Sequence, residues 1–249
     1  MPIDIVILTY YRLQFTKKCL EFLYKRTKHP YRLIVVDNNS QDGTKDFLLE
    51  EHKAGRIHIL ILLDKNVGPH LAKNYALRFV KSDKYYIDSD NDILVPDLEP
   101  CWLTQLMGLM DKHQDYGALG LRIQVMPGSG NIFDEKDDIK IFSHVGGSMR
   151  MLRTQLVKEV GGWENIEVNG KGNEERDISK KIRDKGYNVG FTQFIKAYHM
   201  FTKNWGYPED VENGHRAIWP PPEHYERLVN PKTFDLDAKG VDIYEYKLG

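Results

Sequence analysis

Three carboxylates fall within five residues in the run Asp88-Ser89-Asp90-Asn91-Asp92. Charges of one sign that close together repel unless they are solvated or share a cation. Hard divalent ions take oxygen ligands and commonly share them with substrate phosphates. A phosphate-bearing ligand held through a metal is therefore one chemistry this cluster suits, and a solvated acidic turn is the other. Two further polar clusters, Thr9-Tyr10-Tyr11-Arg12 and Asp37-Asn38-Asn39-Ser40, also follow directly on short apolar runs. Their side chains could read the edge of a ligand, or serve as helix caps and turn residues.

The apolar runs explain why these clusters belong together. Ile3 to Leu8, Leu33 to Val36, Ile57 to Leu62 and Tyr85 to Ile87 read as strands buried on both faces, as in a parallel sheet. Helical spacing separates them: Phe15, Cys19, Phe22 and Leu23; then Phe47 and Leu48 after Asp42-Gly43-Thr44; then a helix over Pro69 to Val80. Strand and helix in alternation imply right-handed crossovers, and ligands of such sheets bind beyond the carboxyl ends of the strands. Beyond residue 90 the alternation breaks down. A helix is expected near Leu98 to Lys112, a strand at Ala118 to Val125, a surface loop over Met126 to Asp138, mixed signals over Gly147 to Val160, and a helix from Asp177 to Lys185 with Gly186 as its C-cap.

Composition narrows the classes. The 249 residues are 41% hydrophobic and 29% charged, an ordinary globular balance that excludes fibrous and wholly disordered chains. Net charge is −1, so no global field recruits nucleic acid, and any anion must be held locally. There is neither a Walker nor a dinucleotide glycine loop. Two cysteines, Cys19 and Cys101, read as buried small hydrophobes in a reducing, cytoplasmic setting. The longest apolar run, Ile59 to Leu63, falls far short of the roughly 20 residues that span a bilayer, so no transmembrane segment is expected, while peripheral membrane contact stays open. Eight aromatics after Met200 suggest an irregular but ordered extension packed on the core.

In order along the chain stand I-V-I-L-T-Y-Y-R, V-V-D-N-N-S-Q-D-G-T, D-K-N-V-G-P-H-L-A-K-N-Y-A-L, Y-I-D-S-D-N-D, G-G-W-E, E-E-R-D-I-S-K-K-I-R-D-K-G-Y and Y-H-M. Each is weak alone, but together, over roughly residues 3 to 200, the chain resembles a family 2 glycosyltransferase of the GT-A fold. The resemblance implies an α/β architecture, a Rossmann-like and mostly parallel sheet flanked by helices. One transferase domain would occupy residues 1–200, with a nucleotide-sugar half at 1–125 and an acceptor and catalytic half at 126–200, followed by the extension at 201–249.

It also implies roles. A nucleotide-diphosphate-sugar donor would contact Thr9, Tyr11, Asp37, Asn39, Asn66, Lys73, Asp88 and Ser89, with Asp37 accepting a nucleobase N–H. Asp88 and Asp90 match the D-x-D motif, and with His199 they would hold Mn2+ or Mg2+. Glu175 stands where the family has the Asp of an E-D pair and would be the general base, with Glu174 as the alternative; a solvated helix start is the structural reading of both. Trp163, beside Gly162, would stack on an acceptor sugar or else belong to the core. The expected activity is single-sugar transfer, with inversion, to a glycan, lipid-linked or small-molecule acceptor. A sugar-1-phosphate nucleotidyltransferase and a non-catalytic sugar-nucleotide or glycan-binding module are the alternatives.

Overall fold

All seven residues of β1 (Ile3–Thr9) are buried, which a strand of this apolarity achieves at the centre of a sheet covered on both faces. The computed structural model describes residues 2–123, 138–164 and 174–200 with their side chains, and residues 132–136, 167–168, 171–172 and 232–235 as backbone strands. After β1 come α1 (Leu13–Arg26), β2 (Tyr31–Asp37), α2 (Thr44–Lys53), β3 (Ile59–Leu62), α3 (Gly68–Leu77) and β4 (Tyr85–Asp90). There follow β5 (Ile93–Leu94), α4 (Trp102–Lys112), β6 (Tyr116–Ile123), β7 (Ile132–Lys136), β8 (Ile139–Phe142), β9 (Arg150–Arg153) and α5 (Thr154–Glu159). The short pair β10 (Glu167–Val168) and β11 (Lys171–Gly172) precedes α6 (Glu174–Asp184), β12 (Asn188–His199) and β13 (Lys232–Asp235).

The main sheet runs β13-β3-β2-β1-β4-β9-β6-β12-β8-β7, with β5 paired to β12 off this path. Strands β3, β2, β1 and β4 are parallel, as are β6 and β12. β9 enters antiparallel between β4 and β6, so the sheet is parallel in its N-terminal half and mixed beyond it. One core face is built by Cys19, Leu20 and Leu23 of α1, Leu48 of α2 and Trp102 and Leu106 of α4; the other by Ala72 and Ala76 of α3, Leu156 of α5 and Ile178 and Ile182 of α6. Both cysteines are buried and free.

A buried acid near the start of β1 also has its reason. Asp4 Oδ2 accepts the N–H groups of Lys81 and Ser82 and the Ser82 hydroxyl, each at 2.7 Å, and Oδ1 accepts Arg32 at 3.0 Å.

Three segments differ from the sequence expectation. Within the expected loop Met126 to Asp138, residues Ile132–Lys136 form a strand antiparallel to β8, whereas 124–131 and 137 lie outside the described residues. Its run of charges hides the alternation because an outer strand is held by backbone pairing more than by an apolar face. α6 starts at Glu174, three residues earlier than its apolar periodicity indicates, because its first turn is acidic. In the C-terminal extension, Lys232–Asp235 pair with β3; residues 201–231 and 236–249, and with them the expected aromatic packing, lie outside the described residues.

Helices α5 and α6 lie tightly on β6. A Cβ on Gly117 would stand 2.5 Å from Ile182 Cγ2 and 2.9 Å from Leu156 Cδ2. Gly117→Ala should therefore destabilise the chain by about 1–3 kcal/mol, the usual cost of overpacking. Urea unfolding measures it, and unchanged stability would mean that this seam is loose.

Candidate active site

The carboxyl ends of β1, β2 and β4 are tied together before any ligand is considered. Asp37 is fully buried, and its Oδ1 accepts the hydroxyls of Thr9 at 3.0 Å and Ser40 at 2.5 Å, while Oδ2 accepts the Ser40 N–H at 2.9 Å. Burial raises its pKa, and the hydrogen bonds from Ser40 and Thr9 only partly offset that. Ser40 Oγ in turn accepts the N–H of Tyr11 at 2.7 Å. Tyr11, Arg12 and Asn39 all have positive φ, so both loops make sharp left-handed turns without glycine. Asn39 Oδ1 accepts from Lys45 at 2.6 Å and Gln41 at 2.8 Å. Asn66 Oδ1 accepts from Asn38 at 2.8 Å and from the Gly68 N–H that opens α3, at 2.9 Å. Asp37 Oδ2 still has acceptor capacity for one more donor.

Next to these loops lies a buried charge centre. Arg150 on β9 stands directly opposite Asp88 on β4 in the antiparallel register. Its Nε and Nη2 donate to Asp88 Oδ2 at 3.0 and 2.6 Å, and Nη1 donates to the Val145 carbonyl at 2.6 Å. Lys73 Nζ of α3 lies 3.5 Å from Asp88, 3.7 Å from Glu174 and 3.9 Å from Asp90. Burial disfavours its charge, but Asp88, Asp90 and Glu174 outweigh that and hold its pKa above the ordinary value. Nζ has ion-pair neighbours yet makes no hydrogen bond. Asp88, expected in the donor and metal sets, is thus the counter-ion of two buried cations.

Trp163 and Gly162, expected to meet an acceptor sugar, lie at the floor of this centre. Trp163 is 2% exposed, with Arg150 stacked at 4.3 Å and Lys73 at 4.9 Å from its ring. Asn74 clips its backbone, donating to the Trp163 carbonyl at 2.8 Å and accepting its N–H at 2.9 Å. Gly162 is in the left-handed region at φ 71, where a side chain would strike Asn74. Both cations lie over the indole ring, within cation–π distance of its centre.

Asp90, by contrast, reaches the surface, with 42% of its side chain exposed. Partial burial raises its pKa; Lys73 opposes this, and the carboxylates of Asp92, Glu175 and Asp88 add to it. Glu175 Oε1 accepts the Gly147 N–H at 2.7 Å, Asp90 N–H donates to the Gly147 carbonyl at 3.0 Å, and the Asp90 carboxylate fills the side of Gly147 where a Cβ would stand, so both carboxylates lie against one residue. Ser89 Oγ also donates to that carbonyl, at 3.0 Å. Glu174 is buried beside Lys73, and burial raises its pKa.

Asp92 forms a third acidic position. Its Oδ2 accepts Arg12 at 2.9 Å and lies 3.4 Å from His199 Nε2, while its buried Oδ1 has no hydrogen-bond partner. Burial pushes the Asp92 pKa up, but His199 and Arg12 prevail and hold it below the usual range. For His199, burial disfavours the charged ring and the Asp92 carboxylate more than compensates, so its pKa is raised. Among the described residues no three His, Cys, Asp or Glu side chains form a metal-binding cluster. The orphaned Asp92 Oδ1 and the crowded Asp90 carboxylate nevertheless fit a hard cation whose other positions are filled by phosphate oxygens.

The ends of β1, β2 and β4 and the 145–150 segment thus converge on one acidic cluster. A family model described as glycosyl transferase family 2 matches residues 4–164. The chain belongs to glycosyl transferase family 2. The match ends before Glu174 and Glu175. The putative teichuronic acid biosynthesis glycosyltransferase TuaG of Bacillus subtilis (strain 168) is 31% identical over 105 residues, 41% of this chain and 39% of that protein. S. aureus TarS 1-349 in complex with UDP-GlcNAc superposes with a TM-score of 0.62 at 17% identity, covering 80% of this chain and 58% of that one. The mannosyltransferase PcManGT from Pyrobaculum calidifontis, in complex with GDP-Man and Mn2+, gives 0.63 at 19%, covering 82% and 58%. At these identities the likeness to solved structures is one of fold, and it is the mixed α/β sheet with flanking helices described above. This family 2 chain spans less than two thirds of the length of each of these relatives.

Sequence reasoning missed Arg150 and Gly147. The signal for Arg150 was a lone cation inside the strand-like run Met149-Arg150-Met151-Leu152; Gly147 had none. Removing one partner of a buried pair leaves an uncompensated charge, so Arg150→Leu should destabilise the fold by about 3–5 kcal/mol. Urea denaturation tests this, and a loss below about 1 kcal/mol would show that Lys73 alone satisfies Asp88.

Proposed function

We propose that this chain transfers a single sugar from a nucleotide-diphosphate donor, a UDP-sugar first among candidates, to the hydroxyl of a glycan, lipid-linked or small-molecule acceptor, with inversion. The observation that carries this reading is the meeting of Asp90 and Glu175, from separate elements, on either side of Gly147 at the carboxyl edge of the parallel strands. The family membership supports it, as do fold relatives whose structures hold UDP-GlcNAc, or GDP-Man with Mn2+.

In this reading Thr9, Tyr11, Asp37, Asn39 and Asn66 shape the donor pocket, with the remaining acceptor capacity of Asp37 turned to a base N–H. Ser89 fixes the β4 end, and Lys73 with Asp88 sets the charge beneath the diphosphate. Asp90, with Asp92 and His199 beside it, would hold Mn2+ or Mg2+. The chemistry such an ion would supply there is stabilisation of charge on the departing nucleoside diphosphate. Glu175 takes the proton of the acceptor hydroxyl as its oxygen bonds to the anomeric carbon and the carbon–oxygen bond to the diphosphate breaks. Glu175 suits this role better than Glu174, because Glu174 is buried against Lys73 whereas Glu175 is only partly buried and is oriented by the Gly147 N–H. A nucleotidyltransferase is disfavoured, since β1 leads into Tyr10-Tyr11-Arg12 where that reaction calls for a glycine-rich loop. No helix among the described residues is long and apolar enough to cross a membrane.

A thermal-shift screen of UDP-, GDP-, CMP- and dTDP-sugars with and without Mn2+ should pick out one nucleotide; at 100 times its Kd the ligand stabilises by about 2.7 kcal/mol. Asp90→Asn should remove the Mn2+-dependent part of that stabilisation. Glu175→Gln should keep donor and metal affinity and slow single-turnover transfer by about 10² to 10⁴, whereas Glu174→Gln should cost far less. Binding without any turnover of the selected donor would leave a sugar-nucleotide-binding module as the answer.

A further inference from the structure

Asp90 at the end of β4 and Glu175 in the first turn of α6 are far apart in sequence, and Gly147 lies between them in space. Its carbonyl accepts the Asp90 N–H at 3.0 Å, and its N–H donates to Glu175 Oε1 at 2.7 Å. The side where a Cβ would stand is filled by the Asp90 carboxylate, all three of whose terminal atoms would fall inside contact distance. Gly147 is not among the residues with positive φ, so its lack of a side chain serves this close approach and not a backbone turn. At Gly146 a Cβ would stand 3.3 Å from both oxygens of Glu175.

The peptide carrying these two glycines is held on several sides. Arg150 Nη1 donates to the Val145 carbonyl at 2.6 Å, and the Val145 N–H donates to Ser179 Oγ of α6 at 3.1 Å. Ser89 Oγ donates to Gly147 O at 3.0 Å and accepts the Met149 N–H at 3.1 Å. Ser148 Oγ donates to the Leu121 carbonyl of β6 at 3.0 Å. A segment so pinned cannot follow either carboxylate; each carboxylate must follow it.

We propose that Gly147 is a positioning residue that sets the separation of the Asp90 and Glu175 carboxylates, with Gly146 leaving the space that Glu175 occupies. This rests on the reading of Asp90 as a cation ligand and Glu175 as the proton acceptor. The neighbouring glycines then control different steps. A methyl at 147 turns the Asp90 carboxylate away and acts on metal binding. A methyl at 146 shifts Glu175 by a few tenths of an ångström and acts on proton transfer, where placement to within about 1 Å matters by about 10²-fold.

The test titrates Mn2+ calorimetrically into the chain in the presence of UDP. It then measures single-turnover consumption of the nucleotide sugar selected from the UDP-, GDP-, CMP- and dTDP-sugars. Gly147→Ala should weaken Mn2+ about 10- to 100-fold, as expected when the support of a metal ligand is disturbed. Gly146→Ala should keep Mn2+ affinity and lose about 10-fold in rate. Equal effects of the two substitutions on both readouts, or unchanged Mn2+ affinity in Gly147→Ala, overturns the proposal. Should Gly147→Ala not fold, adding Asp90→Ala removes the clash and restores cooperative melting; a double variant that still does not fold also overturns it. Asp90→Asn and Glu175→Gln separate the two levels: if these leave Mn2+ binding and turnover intact, the functional reading itself has failed, whereas if they act and Gly147→Ala does not, only the positioning role falls.

Discussion

Asp88 and Arg150 face each other across the β4–β9 ladder with almost no access to water, and the surrounding structure follows from the need to keep them satisfied. A charge removed from water is costly unless paired and hydrogen-bonded in good geometry. Here the guanidinium spends Nε and Nη2 on the carboxylate and Nη1 on the Val145 carbonyl, and lies over the Trp163 ring. That arrangement requires β9 to run antiparallel beside β4, Trp163 to be buried, and the 145–150 segment to lie against the strand ends. Lys73, surrounded by three carboxylates, adds the second cation that keeps the centre near neutrality.

Over this dry base the remaining acidic groups are graded by exposure. Glu174 is buried against Lys73, Asp92 is engaged by Arg12 and His199, and Asp90 alone of the Asp88–Asp92 cluster presents a large part of its side chain to solvent. Their different exposures follow from environment more than from residue type, since five neighbouring carboxylates cannot all be charged, unpaired and exposed. Asp90 has its pKa raised, and its carboxylate makes no hydrogen bond among the described residues.

The loops at the ends of β1 and β2 solve a different problem. They must turn sharply at the strand ends while leaving few buried polar atoms unpaired. Thr9, Asp37, Ser40, Asn38 and Asn66 form a chain of side-chain hydrogen bonds that does this without glycine-rich turns, the left-handed residues being Tyr11, Arg12 and Asn39. Non-glycine residues pay a conformational cost in that region, and the hydrogen bonds of Ser40 and Asp37 compensate for it.

The four parallel strands, their intervening helices and the polar ends of β1, β2 and β4 were legible in the sequence, because apolar runs and helical periodicity are local properties and each cluster directly follows its strand. So was the membership of the family, which rests on short motifs in a fixed order. The acidic first turn of α6 and the strand Ile132–Lys136 were not legible, since their residues are polar and the structure stabilises them by a dipole and by backbone pairing. Within the site, the sequence left Trp163 open between an acceptor platform and a core residue, and left Glu174 and Glu175 as alternatives; the structure buries Trp163 beneath Lys73 and Arg150 and gives the two glutamates different environments, Glu174 against Lys73 and Glu175 on the Gly147 N–H. Arg150 and Gly147 came into view only with tertiary structure. Which residue faces Asp88 is set by cross-strand register, and which residue fits between Asp90 and Glu175 is set by the docking of β9 and α6 on β4, and both are contacts between segments that no local pattern records.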